Sequence, residues 1–177
     1  MNTEISREVR RIAIVGPECT GKTELARFLA NHYGSVWVPE FAREYLEQLG
    51  RPYHKADLTA IAQGQVDIEN QLASHANRFL FCDTNLIVIK IWSEFKYGSC
   101  DPQIISLMQQ QQYDLHLLTD VDLPWQDDPL REHPHRRQEL FDLYESELTR
   151  NRLRYRIIRG HAEARNTAAI DAVEQIR

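Results

Sequence analysis

Short apolar runs alternate along the chain with segments of helical periodicity. The runs lie at 11–15, 35–38, 79–82, 115–118 and 155–158, and each has the length of a buried strand. Strands that alternate with helices predict a mostly parallel sheet covered on both faces, an α/β fold. Between the runs, side chains recur every three to four residues, as on one face of a helix. The clearest sets are Leu25, Phe28, Leu29 and His32; Leu58, Ile61, Gln65, Ile68 and Leu72; Leu140, Leu143, Tyr144 and Leu148; and Ala169, Val173 and Ile176.

Polar residues follow every one of the apolar runs. They are the glycine-containing stretch 16–23, Glu40, Asp83, the segment 120–131 and the segment 160–165. In an open parallel sheet, ligands bind beyond the carboxyl ends of the strands. We therefore expect the functional site at this edge of the sheet.

The stretch after the first run reads Gly-Pro-Glu-Cys-Thr-Gly-Lys-Thr and fits G-x-x-x-x-G-K-[ST] between a predicted strand and a predicted helix. Its glycines leave no Cβ in the way of phosphate oxygens, and the helix start adds the positive end of its dipole. We expect Lys22 to reach the β- and γ-phosphates of ATP and the Thr23 hydroxyl to bind Mg²⁺. The predicted ATP-binding residues are Gly16, Pro17, Glu18, Cys19, Thr20, Gly21, Lys22 and Thr23.

Two carboxylates stand at the ends of neighbouring runs. Asp83 follows the third apolar run, as the acidic residue of a Walker B strand does, and its carboxylate can hold Mg²⁺ there. A role as the cap of the next helix is compatible with this. Glu40 is placed to orient a substrate hydroxyl and accept its proton during phosphoryl transfer; a first-turn glutamate favoured by the helix dipole is the alternative. Arg43 either binds substrate or phosphate, or pairs with Glu40 or Glu47.

The longest irregular stretch contains three prolines, and loops of this length are commonly functional. It predicts a mobile lid over approximately residues 120–136. Arg131 and Arg137 are the cations expected to screen charge on the moving phosphoryl group, with solvated surface arginines as the alternative. Asp127 and Asp128 either hold a substrate hydroxyl or orient those arginines.

Three aromatic residues lie on the helix predicted after the third run. Such faces can stack on a flat heterocycle. Core packing is the favoured interpretation of Trp92 and Phe95. Tyr97 lies beside Gly98 at the predicted helix end, and it is the better candidate for the substrate pocket.

Composition narrows the classes of function. A length of 177 residues predicts one domain over 1–177. The formal net charge of -5 argues against nucleic acid as the main partner. No apolar run approaches membrane-spanning length, the N-terminus lacks a signal-peptide core, and the three cysteines have no paired spacing. These features predict a cytoplasmic protein with no membrane partner.

The motifs occur in a recognisable order. The glycine stretch, Pro39-Glu40-Phe41-Ala42-Arg43-Glu44-Tyr45, Asp83-Thr84-Asn85, and the segments 125–131 and 160–165 make almost the whole chain resemble the nicotinamide riboside kinase domain of NadR-type proteins. The resemblance implies a P-loop kinase of the AAA-labelled family of ATP-binding proteins, with five parallel strands in the order 2-3-1-4-5. It further implies phosphorylation of nicotinamide riboside to nicotinamide mononucleotide by ATP and Mg²⁺.

The resemblance also assigns residues outside the glycine stretch. Glu40 and Arg43 become substrate-side groups, and Asp83 becomes the Walker B acid. The lid arginines are Arg131 and Arg137. Gly160 and Arg165 fall where related kinases wrap the adenine, although a helix-capping glycine and a surface arginine explain them nearly as well.

Two alternatives stay open at the level of sequence. Pro39 stands where the bacterial trifunctional proteins carry an aromatic residue, so the acceptor is alternatively another nucleoside or a small alcohol. A regulatory switch that binds ATP or GTP is the candidate from another class.

The first strand begins by about residue 11, whereas the bacterial trifunctional proteins carry an adenylyltransferase domain upstream. The resemblance therefore implies a stand-alone kinase whose functional partner is a separate nicotinamide mononucleotide adenylyltransferase.

Overall fold

The computed structural model describes residues 9–176. Five strands form a single parallel sheet in the order β2-β3-β1-β4-β5. The strands are β1 (Arg10–Val15), β2 (Val36–Val38), β3 (Phe79–Asp83), β4 (Leu115–Thr119) and β5 (Tyr155–Ile158). The helices are α1 (Lys22–His32), α2 (Phe41–Gln48), α3 (Lys55–Ala73), α4 (Leu86–Tyr97), α5 (Pro102–Gln110), α6 (Arg137–Arg150) and α7 (Ala162–Glu174). The predicted fold and strand order are confirmed.

Alternation along the central strand divides the core into two layers, because successive side chains of a strand point to opposite faces. Ile12 and Ile14 pack with α1 and α7 on one face. Ala13 and Val15 pack with α4 and α6 on the other face, where α2, α3 and α5 extend the layer beside α4. The central strands β3 and β4 are buried along their whole length, as strands covered on both faces must be.

Two residues of the predicted helical sets, His32 and Leu143, are exposed. Leu143 is 42% exposed, whereas Leu140, Tyr144 and Leu148 are buried in the α4–α6 cluster. The buried stripe of α6 follows the spacing of four residues, and Leu143 lies at its edge over a shallow groove that Phe95 also lines.

A buried carboxylate lies between α3 and the sheet, away from the carboxyl ends of the strands. The hydroxyl of Tyr113 donates to both oxygens of Glu69, at 2.9 and 2.8 Å, and Arg11 lies 3.5 Å away. Burial nevertheless raises the pKa of Glu69 from 4.5 to about 7. The buried imidazole of His116 is affected in the opposite sense, because desolvation lowers its pKa from 6.5 to about 4.

These two groups give the stability of the fold opposing pH dependences. The folded state holds a proton on Glu69 more tightly than the unfolded state, so this contribution to stability is lost as pH rises from about 4.5 to about 7. The folded state prefers neutral His116, so that contribution is lost as pH falls from about 6.5 to about 4. Between these limits the two slopes partly cancel.

Replacing Glu69 with glutamine is expected to remove the first slope. At pH 8, Glu69→Gln should have a free energy of unfolding about 1–3 kcal/mol above that of the original chain, because no buried charge remains. At pH 4 the two proteins should differ little. Urea unfolding at a series of pH values measures the difference, and a difference that is constant from pH 4 to pH 8 would contradict this assignment.

Within residues 9–176, no helix is both long enough and apolar enough to cross a membrane. The segment between β4 and α6, residues 120–136, contains neither helix nor strand. This is the segment predicted as the lid, and we call it the lid segment below.

Candidate active site

The phosphate loop, residues 16–23, joins β1 to α1 at the carboxyl edge of the sheet. Gly16 adopts φ +142°, and a Cβ at this position would lie 2.4 Å from Thr119 Oγ1. Gly21 adopts φ +73° directly before the first residue of α1. Both glycines are therefore required by backbone conformation, and the first also by its close approach to β4.

The two residues that end the loop motif make different contacts. Lys22 extends back along the loop, where its Nζ donates to the carbonyl of Pro17 at 2.7 Å. The hydroxyl of Thr23 donates to Asp83 Oδ2 at 2.5 Å. The motif thus presents one cation and one hydroxyl at the start of α1, where the helix dipole favours anions.

Asp83, the last residue of β3, is 1% exposed. Burial raises the pKa of its carboxyl, while Thr23, Lys22 and Arg43 favour the charged form. Its second oxygen, Oδ1, has no hydrogen-bond partner among residues 9–176. A buried carboxylate oxygen beside a hydroxyl is the oxygen donor set that Mg²⁺ uses together with phosphate and water. The pair therefore fits a magnesium ion, as the sequence predicted for these two residues.

A cavity of about 410 Å³ connects the phosphate loop with the start of α2. Glu40, the N-cap residue of α2, lies in its wall. Burial raises the pKa of the Glu40 carboxyl, and the nearby charge of Asp83 raises it further, whereas Lys22 and Arg43 lower it. A carboxylate with a raised pKa, facing the cavity opposite a lysine, has the properties of a general base.

Arg43 also lines this cavity. Its guanidinium contacts the carboxylate of Asp128 at 3.1 Å and that of Glu47 at 3.8 Å. Asp128, predicted to bind substrate, is absent from the cavity wall. It accepts the amide of Leu130 at 2.9 Å, and this bond together with Arg43 lowers its pKa. Asp128 thus holds a cavity arginine, although not one of the two that sequence reasoning paired it with.

The two lid arginines lie in different places. Arg131 lines the cavity and donates to Cys19 Sγ at 3.4 Å. Arg137 donates to the carbonyls of Cys19 and Leu123, at 3.2 and 2.9 Å, and does not line the cavity. Both arginines thus contact Cys19 of the phosphate loop, and of the two it is Arg131 that lines the cavity.

The phosphate loop makes further contacts with the lid segment that sequence reasoning missed. The carboxylate of Glu18 accepts the backbone amides of Glu132 and His133, each at 3.0 Å. The sulfur of Cys19 accepts the amide of Gln126 at 3.1 Å. Glu18 and Cys19, which were predicted only as ATP-binding residues, thus also hold the lid segment against the phosphate loop.

Gly160 and Arg165, predicted near the adenine, are absent from the cavity wall. Arg165 is 5% exposed and donates to the carbonyl of Thr20 from behind the phosphate loop. Its other contacts are Asp122 at 3.4 Å and the carbonyl of Gly160 at 3.5 Å, and the Gly160 amide donates to the same aspartate at 2.6 Å. In this structure the two residues brace the loop from behind.

The prediction for Tyr97 is wrong in its position. Trp92 and Phe95 line the cavity, together with Tyr144 from α6, whereas Tyr97 does not. Residues 92 and 95 are three apart and share one face of α4. Tyr97 points to a different side, where it packs with apolar residues of α3 and α5. The aromatic wall of the cavity therefore comes from Tyr144 and from Trp92 and Phe95, the two residues interpreted as core.

Fold and site together define a class of protein. A loop of the form G-x-x-x-x-G-K-T after the central strand, an aspartate ending the neighbouring strand and the order 2-3-1-4-5 are those of a P-loop nucleotide-binding protein with the nucleotide kinase fold. The chain belongs to a family of AAA domains, whose model matches residues 11–165.

Curated relatives carry NAD biosynthesis in their names. The Trifunctional NAD biosynthesis/regulator protein NadR of Escherichia coli (strain K12) is 28% identical over 129 residues, which cover 70% of this chain and 31% of that protein. The protein of the same name from Salmonella typhimurium is also 28% identical over 129 residues. This chain thus spans about a third of the curated relatives it matches.

Solved structures share the fold. A crystal structure of NadR protein in complex with NR superimposes with a TM-score of 0.82 at 23% identity and covers 96% of this chain and 51% of that chain. Thymidylate kinase from Ehrlichia chaffeensis has a TM-score of 0.65 at 15% identity, covering 96% and 99%. Deoxyadenosine kinase from M. mycoides with bound dATP has a TM-score of 0.63 at 12% identity, covering 93% and 99%.

Proposed function

We propose that this chain transfers the γ-phosphoryl group of ATP to the primary hydroxyl of nicotinamide riboside, giving nicotinamide mononucleotide and ADP. One observation carries the proposal: a single cavity joins the phosphate loop to the partly buried carboxylate of Glu40. A phosphate donor and an alcohol acceptor bound in that cavity would lie between Lys22 and Glu40.

The choice of acceptor draws on the relatives. The curated relatives are named for NAD biosynthesis. One crystal structure of NadR protein is a complex with NR, and another is a complex with NAD and AMP-PNP, an analogue of ATP. The cavity offers the aromatic side chains of Trp92, Phe95 and Tyr144, and such faces suit a flat heterocycle. Cationic rings such as that of nicotinamide riboside gain further from aromatic faces.

Three charged residues of the cavity wall have roles in the proposed reaction. Glu40 accepts the proton of the acceptor hydroxyl. The hydroxyl oxygen bonds to the γ-phosphorus of ATP, and the bond from that phosphorus to the bridging oxygen of ADP breaks. Lys22 exchanges its contact with the Pro17 carbonyl for phosphate oxygens. Arg131, which belongs to the lid segment, stabilises the negative charge on the moving phosphoryl group, and the lid segment excludes water.

Thr23 and Asp83 would hold the magnesium ion. The fit rests on the unpartnered Asp83 Oδ1 beside the Thr23 hydroxyl. Among residues 9–176, no group of three or more histidine, cysteine, aspartate or glutamate side chains could hold a metal. Phosphate oxygens and water would therefore complete the coordination shell, which is the usual arrangement for Mg²⁺. When bound, the ion neutralises charge on the phosphate oxygens.

The proposed product places the reaction in a sequence. Nicotinamide mononucleotide requires an adenylyl transfer to become NAD, so we propose a nicotinamide mononucleotide adenylyltransferase as the functional partner. The immediate partners in the site are small molecules, ATP and a nucleoside.

Steady-state release of ADP from Mg-ATP tests the proposal. We expect stimulation by nicotinamide riboside of at least about a hundredfold over ATP alone, since positioning and charge stabilisation act only when the acceptor fills the cavity. A panel of other nucleosides is measured beside it. Stimulation by a different nucleoside would replace the acceptor and keep the mechanism. Turnover without any acceptor would favour the regulatory switch and contradict the kinase.

A further inference from the structure

The start of α2 is capped in an unusual way. N-cap side chains commonly accept a backbone amide from the first turn of their own helix. Glu40 occupies the N-cap position, and its carboxylate makes no such bond. Instead, the amide of Phe41, the first residue of α2, donates to Gln65 Oε1 on α3 at 3.0 Å. The side-chain oxygen of a residue on another helix thus accepts one of the free N–H groups of α2. The carboxylate of Glu40 stays available to the cavity.

The orientation of the Gln65 amide is fixed by this contact. An N–H group can be accepted only by the oxygen, so Oε1 faces Phe41. Nε2 meets no acceptor at hydrogen-bond distance and angle within residues 9–176, but the Gln65 side chain lies close enough to Glu69 to lower the pKa of that carboxyl. Gln65 is 1% exposed, and a buried donor without a partner costs free energy that an apolar side chain would avoid. The bond from the Phe41 amide is therefore the contact through which Gln65 acts on the start of α2.

The residue before Gln65 supports the same contact. A Cβ at Gly64 would lie 2.1 Å from Phe41 Cε1 and 2.4 Å from Cζ. The ring of Phe41 therefore lies directly on the backbone of α3, a helix anchored in the core by Leu58 and Ile61. Two consecutive residues of α3 thus hold the backbone amide and the ring of the residue that follows Glu40.

We propose that Gln65 is a positioning residue that fixes the Glu40 carboxylate in the cavity by anchoring the Phe41 amide. The inference rests on the proposed function, in which Glu40 accepts the proton of the acceptor. The carboxylate faces Asp83, Lys22, Arg43 and Glu18. A shift of the α2 start changes its place among these charges and its alignment with the acceptor hydroxyl.

Gln65→Met tests the proposal, because methionine keeps the length of the side chain and removes the acceptor oxygen. We expect kcat to fall about 10- to 100-fold, the cost of a displacement on the order of 1 Å, while KM for ATP stays within about twofold. Gln63→Met is the matched control. It makes the same replacement on the exposed face of α3, where the Gln63 side chain donates to Asp67 at 2.8 Å, and it should retain the original kcat.

A double-mutant cycle separates positioning from general support of the fold. In a Glu40→Gln background, Gln65→Met should lower kcat by less than about twofold, since the group it positions has already been replaced. Effects that multiply in the double variant would overturn the proposal.

Hydrogen exchange supplies a readout that does not depend on catalysis. Gln65→Met should speed amide exchange over residues 40–45 at least about tenfold and leave residues 22–32 unchanged. Exchange over 40–45 that matches the Gln63→Met control would overturn the inference. If Gln65→Met fails to fold, Gln65→Asn, which withdraws the amide by one methylene, is measured in the same way. Absence of acceptor phosphorylation by the original chain would reject the proposed function alone, because the exchange result still decides the inference.

Discussion

Lys22→Ala is expected to reduce acceptor-dependent ADP release by at least about 10²- to 10³-fold. Lys22 is the cation of the phosphate loop, and it stands at the start of α1 with its ammonium group over the Pro17 carbonyl. In phosphoryl transfer, such a group binds the β- and γ-phosphates and stabilises the charge that moves between them. Removal of one preorganised donor at a developing charge typically costs this much.

The loss should affect both binding and turnover of ATP. Lys55→Ala is the matched control, since Lys55 begins α3 and contacts the Ser99 hydroxyl rather than the cavity. This control should retain the original rate. A Lys22→Ala protein that turns over at more than a tenth of the original rate would reject the nucleotide-binding role of the loop.

Glu40→Gln is expected to lower kcat by about 10²- to 10⁴-fold while ATP still binds. The amide retains the size of the side chain and loses the ability to accept a proton, which general base catalysis requires. Calorimetric titration of an ATP analogue should give an affinity within about threefold of the original, because Glu40 belongs to the start of α2 and not to the phosphate loop.

Glu44→Gln provides the comparison for this variant. Glu44 lies on the exposed side of the same helix, where it accepts from Gln48 at 3.1 Å, so the same chemical change there should leave kcat unaltered. If Glu40→Gln turned over within about threefold of the original chain, Glu40 would not be the base.

Much of the fold follows from local pattern. The apolar runs and the helical spacing place β1 to β5 correctly within one or two residues at their ends, because buried strands need unbroken apolar stretches. The glycine stretch fixes its own surroundings, since the motif requires a strand before it and a helix after it. Periodic sets were named for α1, α3, α6 and α7, and α5 was not predicted at all. α5 is short, and its signal is Asp101 as N-cap followed by Pro102.

The candidate site was predictable only in part. Lys22, Thr23, Glu40 and Asp83 stand at strand ends, and parallel strands bring these ends to one edge of the sheet. Which aromatic side chains face the cavity depends on how α4 is rotated against its neighbours. Tyr97 was therefore chosen in error by its nearness to the helix end.

Contacts between distant segments lie beyond sequence pattern. The bond from Phe41 to Gln65 joins positions 24 apart, and the bonds from Glu18 to the lid segment join positions 114 and 115 apart. Gln65 fits the helical stripe predicted for α3, and its hydrogen bond to Phe41 is visible only in the structure. Such pairings arise from tertiary packing, which no local spacing encodes.

Identification of the phosphorylated product tests the central claim most directly. The protein is incubated with Mg-ATP and nicotinamide riboside, and the products are analysed by phosphorus NMR and mass spectrometry. The account predicts nicotinamide mononucleotide, seen as a new phosphomonoester signal split by the two hydrogens of the ribose 5′ carbon, in amounts equal to the ADP formed. ADP accompanied only by inorganic phosphate, with unchanged nicotinamide riboside, would contradict it.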